Sequence, residues 1–134
     1  MKDKFKEIFE GLKIAYGQYQ KGERGENGKQ GGKAFIVRGN VTDDLWDNHL
    51  RGEGPALGII PITENNTCRW GCIDIDEYDF NHLTFVSKIR ELKLPLIVCR
   101  SKSGGAHVFL FTKKFISASL MQGTLKKMAK ILGY

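Results

Sequence analysis

The chain of 134 residues predicts a mixed α+β fold, an α/β sandwich in one compact domain over 1–134, and three observations carry that expectation. Short apolar runs recur at 57–62, 70–75, 95–99 and 107–111. Amphipathic stretches with three- and four-residue spacing recur at 5–15, 81–92 and 117–132, and the two kinds are interleaved along the chain. The composition supplies a core: 41% of residues are hydrophobic and 27% charged, which excludes a disordered or fibrous chain.

The elements follow in order. Phe5, Ile8, Phe9, Leu12 and Ala15 recur on one face and predict an amphipathic first helix. Residues 18–33 hold glycines at 22, 25, 28, 31 and 32 among mixed charges, which predicts a flexible loop or the tip of a long hairpin. Thr42 is placed to cap a short helix, with Asp43 and Asp44 in its first turn, Val41 and Trp46 as a hydrophobic staple, and Gly52 as its stop. Leu57 to Ile62 and Trp70 to Ile75 read as neighbouring strands joined through Asn65-Asn66. Asp79 or Asn81 starts a helix that turns Phe85, Val86, Ile89 and Leu92 inward and ends at Pro95. Pro95 to Cys99 and His107 to Phe111 are strands flanking the loop 100–106. Ser117 to Leu132 is the last helix, with Leu120, Met121, Leu125, Met128 and Ile131 inward and Gly133 as C-cap.

Charge divides the chain unevenly. The net charge is +6, but residues 1–79 hold eleven bases against fourteen acids, while ten bases and the single acid Glu91 follow from Phe80 onward. An acidic cluster, Asp74, Asp76, Glu77 and Asp79, stands just before the basic part. That order suits a polyanion held partly by Lys and Arg and partly through bridging cations; a solvated basic surface is the alternative. No apolar run approaches the ~18 residues of a membrane span, and the charged start lacks a signal-peptide core. Three cysteines at irregular spacing form no disulfide framework, so reduced thiols in a cytoplasmic compartment are expected.

Two motifs carry chemistry. In Cys72-Ile73-Asp74-Ile75-Asp76 the aspartates share one strand face while Ile73 and Ile75 point into the core. Two adjacent carboxylates repel unless a cation sits between them, and hard oxygen ligands favour Mg²⁺ or Mn²⁺; the pair alone also fits a strand end at the surface. Arg100-Ser101-Lys102-Ser103-Gly104-Gly105-Ala106-His107 offers a guanidinium, an ammonium, two hydroxyls, backbone N–H groups and an imidazole, the makings of a phosphate cradle. Its alternative is a polar hairpin turn. The order of glycine and lysine excludes a Walker A loop.

With both motifs present, the chain from about Val41 onward resembles the archaeo-eukaryotic primase superfamily, in the phage and mobile-element primase-polymerase branch that includes the primase domain of TOTE conflict systems. The residues carrying the resemblance are 57–62, the hydrophobic-D-x-D of 70–76, and 94–111 with its histidine and following strand. The resemblance implies the primase core, an α/β unit beside an incomplete RRM-like sheet. It implies template-dependent nucleotidyl transfer with two divalent ions, Mg²⁺ or Mn²⁺, on Asp74 and Asp76. His107 would be the histidine of the nucleotide motif, with Arg100, Ser101, Lys102, Ser103, Gly104 and Gly105 around the triphosphate. The implied partners are nucleoside triphosphates, a DNA template and primer, and a helicase domain or protein in the parent system, in the cytoplasm of a bacterial or phage-infected cell. The family's third carboxylate motif has no counterpart up to Tyr134 and is expected beyond it. Glu77 and Asp79 read as capping or surface residues. The alternatives are a non-catalytic nucleotide or nucleic-acid binding module of the same fold, or a metal-dependent nuclease. Cys68, Cys72 and Cys99 lack zinc-site spacing and read as structural thiols, and His49 and His82 as helix-end residues.

Overall fold

A computed structural model describes residues 2–24 and 30–134. The order of elements is α1 (Lys2–Ile8), β1 (Ala15–Arg24), β2 (Gln30–Arg38), α2 (Asp43–Arg51), β3 (Ala56–Gly58), β4 (Thr67–Ile75), α3 (His82–Glu91), β5 (Leu96–Arg100), β6 (Ala106–Ser117) and α4 (Ala118–Leu132). The fold is α+β with two small antiparallel sheets, and the chain divides into two compact units, Met1–Asn65 and Asn66–Tyr134. No helix among the described residues is long and apolar enough to cross a membrane.

The first unit holds a sheet ordered β2-β1-β3. Most of the glycine-rich segment is strand, paired antiparallel as the hairpin alternative has it, and not a flexible loop. β1 runs through Arg24 and β2 resumes at Gln30, with Tyr19 opposite Ala34 and Gln20 opposite Lys33; the rest of that expectation, residues 25–29, lies outside the described residues. The glycines serve the pairing. A Cβ on Gly32 would stand 2.2 Å from the Tyr19 hydroxyl oxygen, so the bare backbone is the shelf on which the Tyr19 ring lies. The Tyr19 hydroxyl donates to the Gly31 carbonyl at 3.1 Å.

The first helix is shorter than its apolar spacing predicts. It ends at Ile8 because Gly11 presses against another segment: a Cβ there would stand 2.2 Å from the Ile60 carbonyl oxygen, and Leu12 N–H donates to that same oxygen at 2.8 Å. Leu12 therefore belongs to the turn and Ala15 to β1. That docking also keeps residues 59–62 out of β3, which has three residues and pairs with β1, not with β4. The expected pairing of 57–62 with 70–75 is thus corrected. α2 forms as expected, with the Thr42 hydroxyl accepting from Leu45 N–H and Gly52 left-handed at φ 73°.

The second unit is a sheet ordered β4-β6-β5 with α3 and α4 on one face. The register pairs Ile73 with Val108, Ile75 with Ala106 and Leu96 with Leu110. These odd positions of β4 and even positions of β5 and β6 meet Phe85 and Ile89 of α3 and Met121 and Leu132 of α4. Gly71 lets α4 close on the sheet, since a Cβ there would stand 2.6 Å from a Leu125 methyl. Asn81, not Asp79, caps α3; its side chain accepts from Thr84 N–H. Leu120 and Ile131 were expected inward on α4 but are exposed, and Leu132 takes the buried place.

Candidate active site

The geometry of the site begins with β6, which lies between β4 and β5. Its other face carries His107, Phe109 and Phe111, alternating with Val108 and Leu110 of the core. Phe109 stacks with Phe111 at 5.8 Å between centroids, and Trp70 tilts against Phe109 at 6.1 Å. At the end of this row, Asp74 on β4 is the direct partner of His107, and His107 is the direct partner of Cys99 on β5. His107 Nε2 stands 3.4 Å from Asp74 Oδ1, and both side chains are well exposed.

Asp76 follows one pleat later, just past the end of β4. The loop 101–105 meets it: the Ser103 hydroxyl donates to Asp76 Oδ1 at 3.1 Å, and Ser101 Oγ lies 3.0 Å from Ser103 Oγ. Asp74, Asp76, Ser101, Ser103 and His107, drawn from two motifs about thirty residues apart, thus converge at one end of one sheet.

The loop is more tightly tied than a free phosphate cradle. Ser101 N–H donates to the Gly105 carbonyl at 2.9 Å, and Gly104 N–H to the Ser101 carbonyl at 3.2 Å. Two backbone donors are thereby committed inside the turn, so the anion-binding groups the loop offers are chiefly its side chains. Gly104 adopts φ 98°, which only glycine takes without strain. Gly105 is buried against β4, where a Cβ would meet the Ile75 carbonyl oxygen at 2.0 Å. Lys102 is exposed on the turn. Arg100 is not brought to the carboxylates: it shares its side of the pleat with Val98 and Ala106, on the helix-bearing face.

The donor set suits a hard divalent ion shared with a ligand. Among the described residues no group of three His, Cys, Asp or Glu side chains gathers to hold a metal. Two exposed carboxylates in one row match the usual way Mg²⁺ is held, by one or two carboxylates with the rest of its shell from phosphate oxygens and water.

Other residues acquire clear placements. Cys68 is buried and packs with Leu110 and Met121, whereas Cys72 and Cys99 lie on the exposed row. Desolvation by its surroundings pushes the Cys72 thiol up to about 11, with Asp74 adding to the rise. Leu57 N–H donates to His49 Nδ1 at 3.1 Å, a packing role. Burial, with the Glu77 carboxylate nearby, raises the Tyr134 pKa. His82, read from sequence as a helix-end residue, reaches the loop: its Nε2 lies 3.0 Å from the Gly105 carbonyl oxygen. The sequence carries a weak signal for this, a histidine directly after a helix-capping Asn and a phenylalanine.

The chain matches the family model described as the TOTE conflict system, archaeo-eukaryotic primase domain, over residues 15–132, and it belongs to that family. No curated protein matches it.

Proposed function

We propose that the site performs metal-dependent nucleotidyl transfer, joining nucleoside triphosphates to a primer end on a DNA template. The observation that carries this reading is the direct pairing of Asp74 with His107 across β4 and β6, with Ser103 on Asp76. Asp74 and Asp76 would hold Mg²⁺ or Mn²⁺, which supplies activation of the attacking 3′-hydroxyl and neutralisation of the departing pyrophosphate. His107 places a ring N–H beside the carboxylates, where it can bond a triphosphate oxygen as charge develops at the α-phosphorus. The Ser101 and Ser103 hydroxyls line the same end and orient the phosphates, and Lys102 adds a positive charge at the tip. Arg100 has a lesser part, because its side of the strand is turned from the carboxylates. Lysines 126, 127 and 130 on α4 would hold nucleic-acid backbone without reading its sequence.

The test is incorporation of labelled nucleotide on a primed template with Mn²⁺, beside triphosphate binding by titration. Asp74→Asn with Asp76→Asn should lower incorporation by about a hundredfold or more, the scale seen when charge stabilisation at a transition state is removed; undiminished incorporation would sink the assignment. A second reading draws on the lack of a three-ligand group among the described residues: a module that binds nucleotide without turning it over. Triphosphate binding that needs no metal and is lost in His107→Ala, with no incorporation by the native chain, would favour it.

A further inference from the structure

His82 stands outside the Asp74–His107 row, yet its ring holds the loop that borders that row. The Gly105 carbonyl accepts twice, from Ser101 N–H at 2.9 Å and from His82 Nε2–H at 3.0 Å, which uses both of its lone pairs. The ring is itself fixed. Asn81 caps α3 and sets His82 at the first helical position, and the imidazole packs edge-on against Phe80 at 4.9 Å. Phe80 in turn meets Phe85 of the buried core at 5.0 Å.

On its other side the same glycine is stopped by β4. A Cβ at Gly105 would stand 2.0 Å from the Ile75 carbonyl oxygen and 3.2 Å from Glu77 N, the main chain that bears Asp74 and Asp76. The Gly105 peptide is therefore gripped between a helix-borne donor and the carboxylate strand. Two residues before it lies Ser103 on Asp76, and two after it lies His107 beside Asp74. A shift of this peptide moves the Ser103 contact, while the ladder pairing of His107 with Asp74 stays.

We infer that His82 is a positioning residue, which anchors the Gly105 peptide and so keeps the loop's Ser103 hydroxyl on Asp76, beside the His107 that the β4–β6 ladder already fixes. The inference rests on the triphosphate-binding reading of the site. It requires only that Nε2 carry a proton, so a side chain with an amide donor of similar reach can replace the ring.

Two measurements on the full chain test it: amide hydrogen exchange across 101–106, and Mn²⁺-dependent binding of a fluorescent nucleoside triphosphate. Loss of one hydrogen bond in His82→Ala should speed exchange at the Ser101 and Gly104 amides by about five- to tenfold and weaken triphosphate binding by a similar factor. Exchange at Val108 and the thermal midpoint should stay as in the native chain, and His82→Gln should restore most of both effects. Unchanged loop exchange in His82→Ala overturns the anchor. Faster exchange with unchanged affinity overturns the positioning role. Failure of the native chain to bind triphosphate refutes the reading of the site and the positioning role with it, while the exchange data separately decide whether His82 anchors the loop.

Discussion

The two units are built on the same plan, a three-stranded antiparallel sheet with two helices, but they are held by different forces. In Asn66–Tyr134 the sheet and helices enclose two buried clusters, among them Ile75, Phe85, Ile89, Val108, Leu110 and Met121. In Met1–Asn65 only Trp46 and Leu57 are buried hydrophobics among the described residues, and Phe35 and Ile36 of β2 stand exposed. There α1 is joined to α2 by charge, through Lys2–Asp47 at 2.8 Å and Lys6–Asp43. The candidate site thus stands on the unit with the dry core, where side-chain positions are fixed by packing, and the proposed binding of cations and phosphate oxygens would draw on that rigidity.

Substitutions on β6 and β2 should expose the difference most strongly. Val108 is 0% exposed at the centre of the second sheet, and Val108→Ala should cost about 2 kcal/mol or more from lost burial and the cavity left behind. Ile36, 65% exposed, should tolerate Ile36→Ser within about 0.5 kcal/mol. Urea unfolding followed by probes in each unit measures both, and equal costs would break the comparison. A smaller effect is expected at Tyr19, whose ring covers Gly32: Tyr19→Ala should cost up to about 1 kcal/mol, the range of a cross-strand pair, with the loss read in the first unit only.

The smallest effect is electrostatic and local to α1. The hydrogen bond from Lys6, and then its charge, hold the Asp43 carboxyl below the usual carboxylate range. A depressed carboxylate stabilises the fold above its unfolded pKa, and that contribution is lost as pH falls through the lowered folded value. Protection of the α1 amides, measured as exchange relative to the intrinsic rate at each pH, should therefore fall as solutions become strongly acidic, and also with added salt, while amides of β6 respond far less. Equal response in both would show that charge is not what fastens α1.

What was legible in the sequence follows the same division. The second unit declared itself because its signals are local: alternation at 70–76 and 106–111, an Asn cap before 82, a Ser cap before 118 and a glycine after 132. Asp74 and Asp76 needed only a strand's period of two to be placed on one face, whereas His107 came through the resemblance and its pairing with Asp74 is a matter of register. The first unit was misread where pairing is non-local. Gly32 looks like loop until Tyr19 is seen lying over it from the neighbouring strand, and nothing near Gly11 announces the Ile60 carbonyl against which it packs. Arg100 was grouped with its loop neighbours, but the pleat turns it from them. His82 was hidden for a related reason, since its partner is a main-chain oxygen twenty-three residues away.

The pairing of Asp74 with His107 makes the backbone ladder a ruler. Directly opposed residues of an antiparallel pair have their Cα atoms about 4.5–5.5 Å apart whatever side chains they bear, so the spacing between carboxylate and imidazole is not set by the loop that joins β5 to β6. Lengthening or replacing that loop would change which hydroxyls reach Asp76 and leave this spacing alone. The converse error would be total: a slip of β6 by one residue would bring Val108 opposite or beside Asp74 and carry His107 to the helix side. Loop variation is therefore open to this architecture as a means of altering ligand preference, and strand slippage is closed to it.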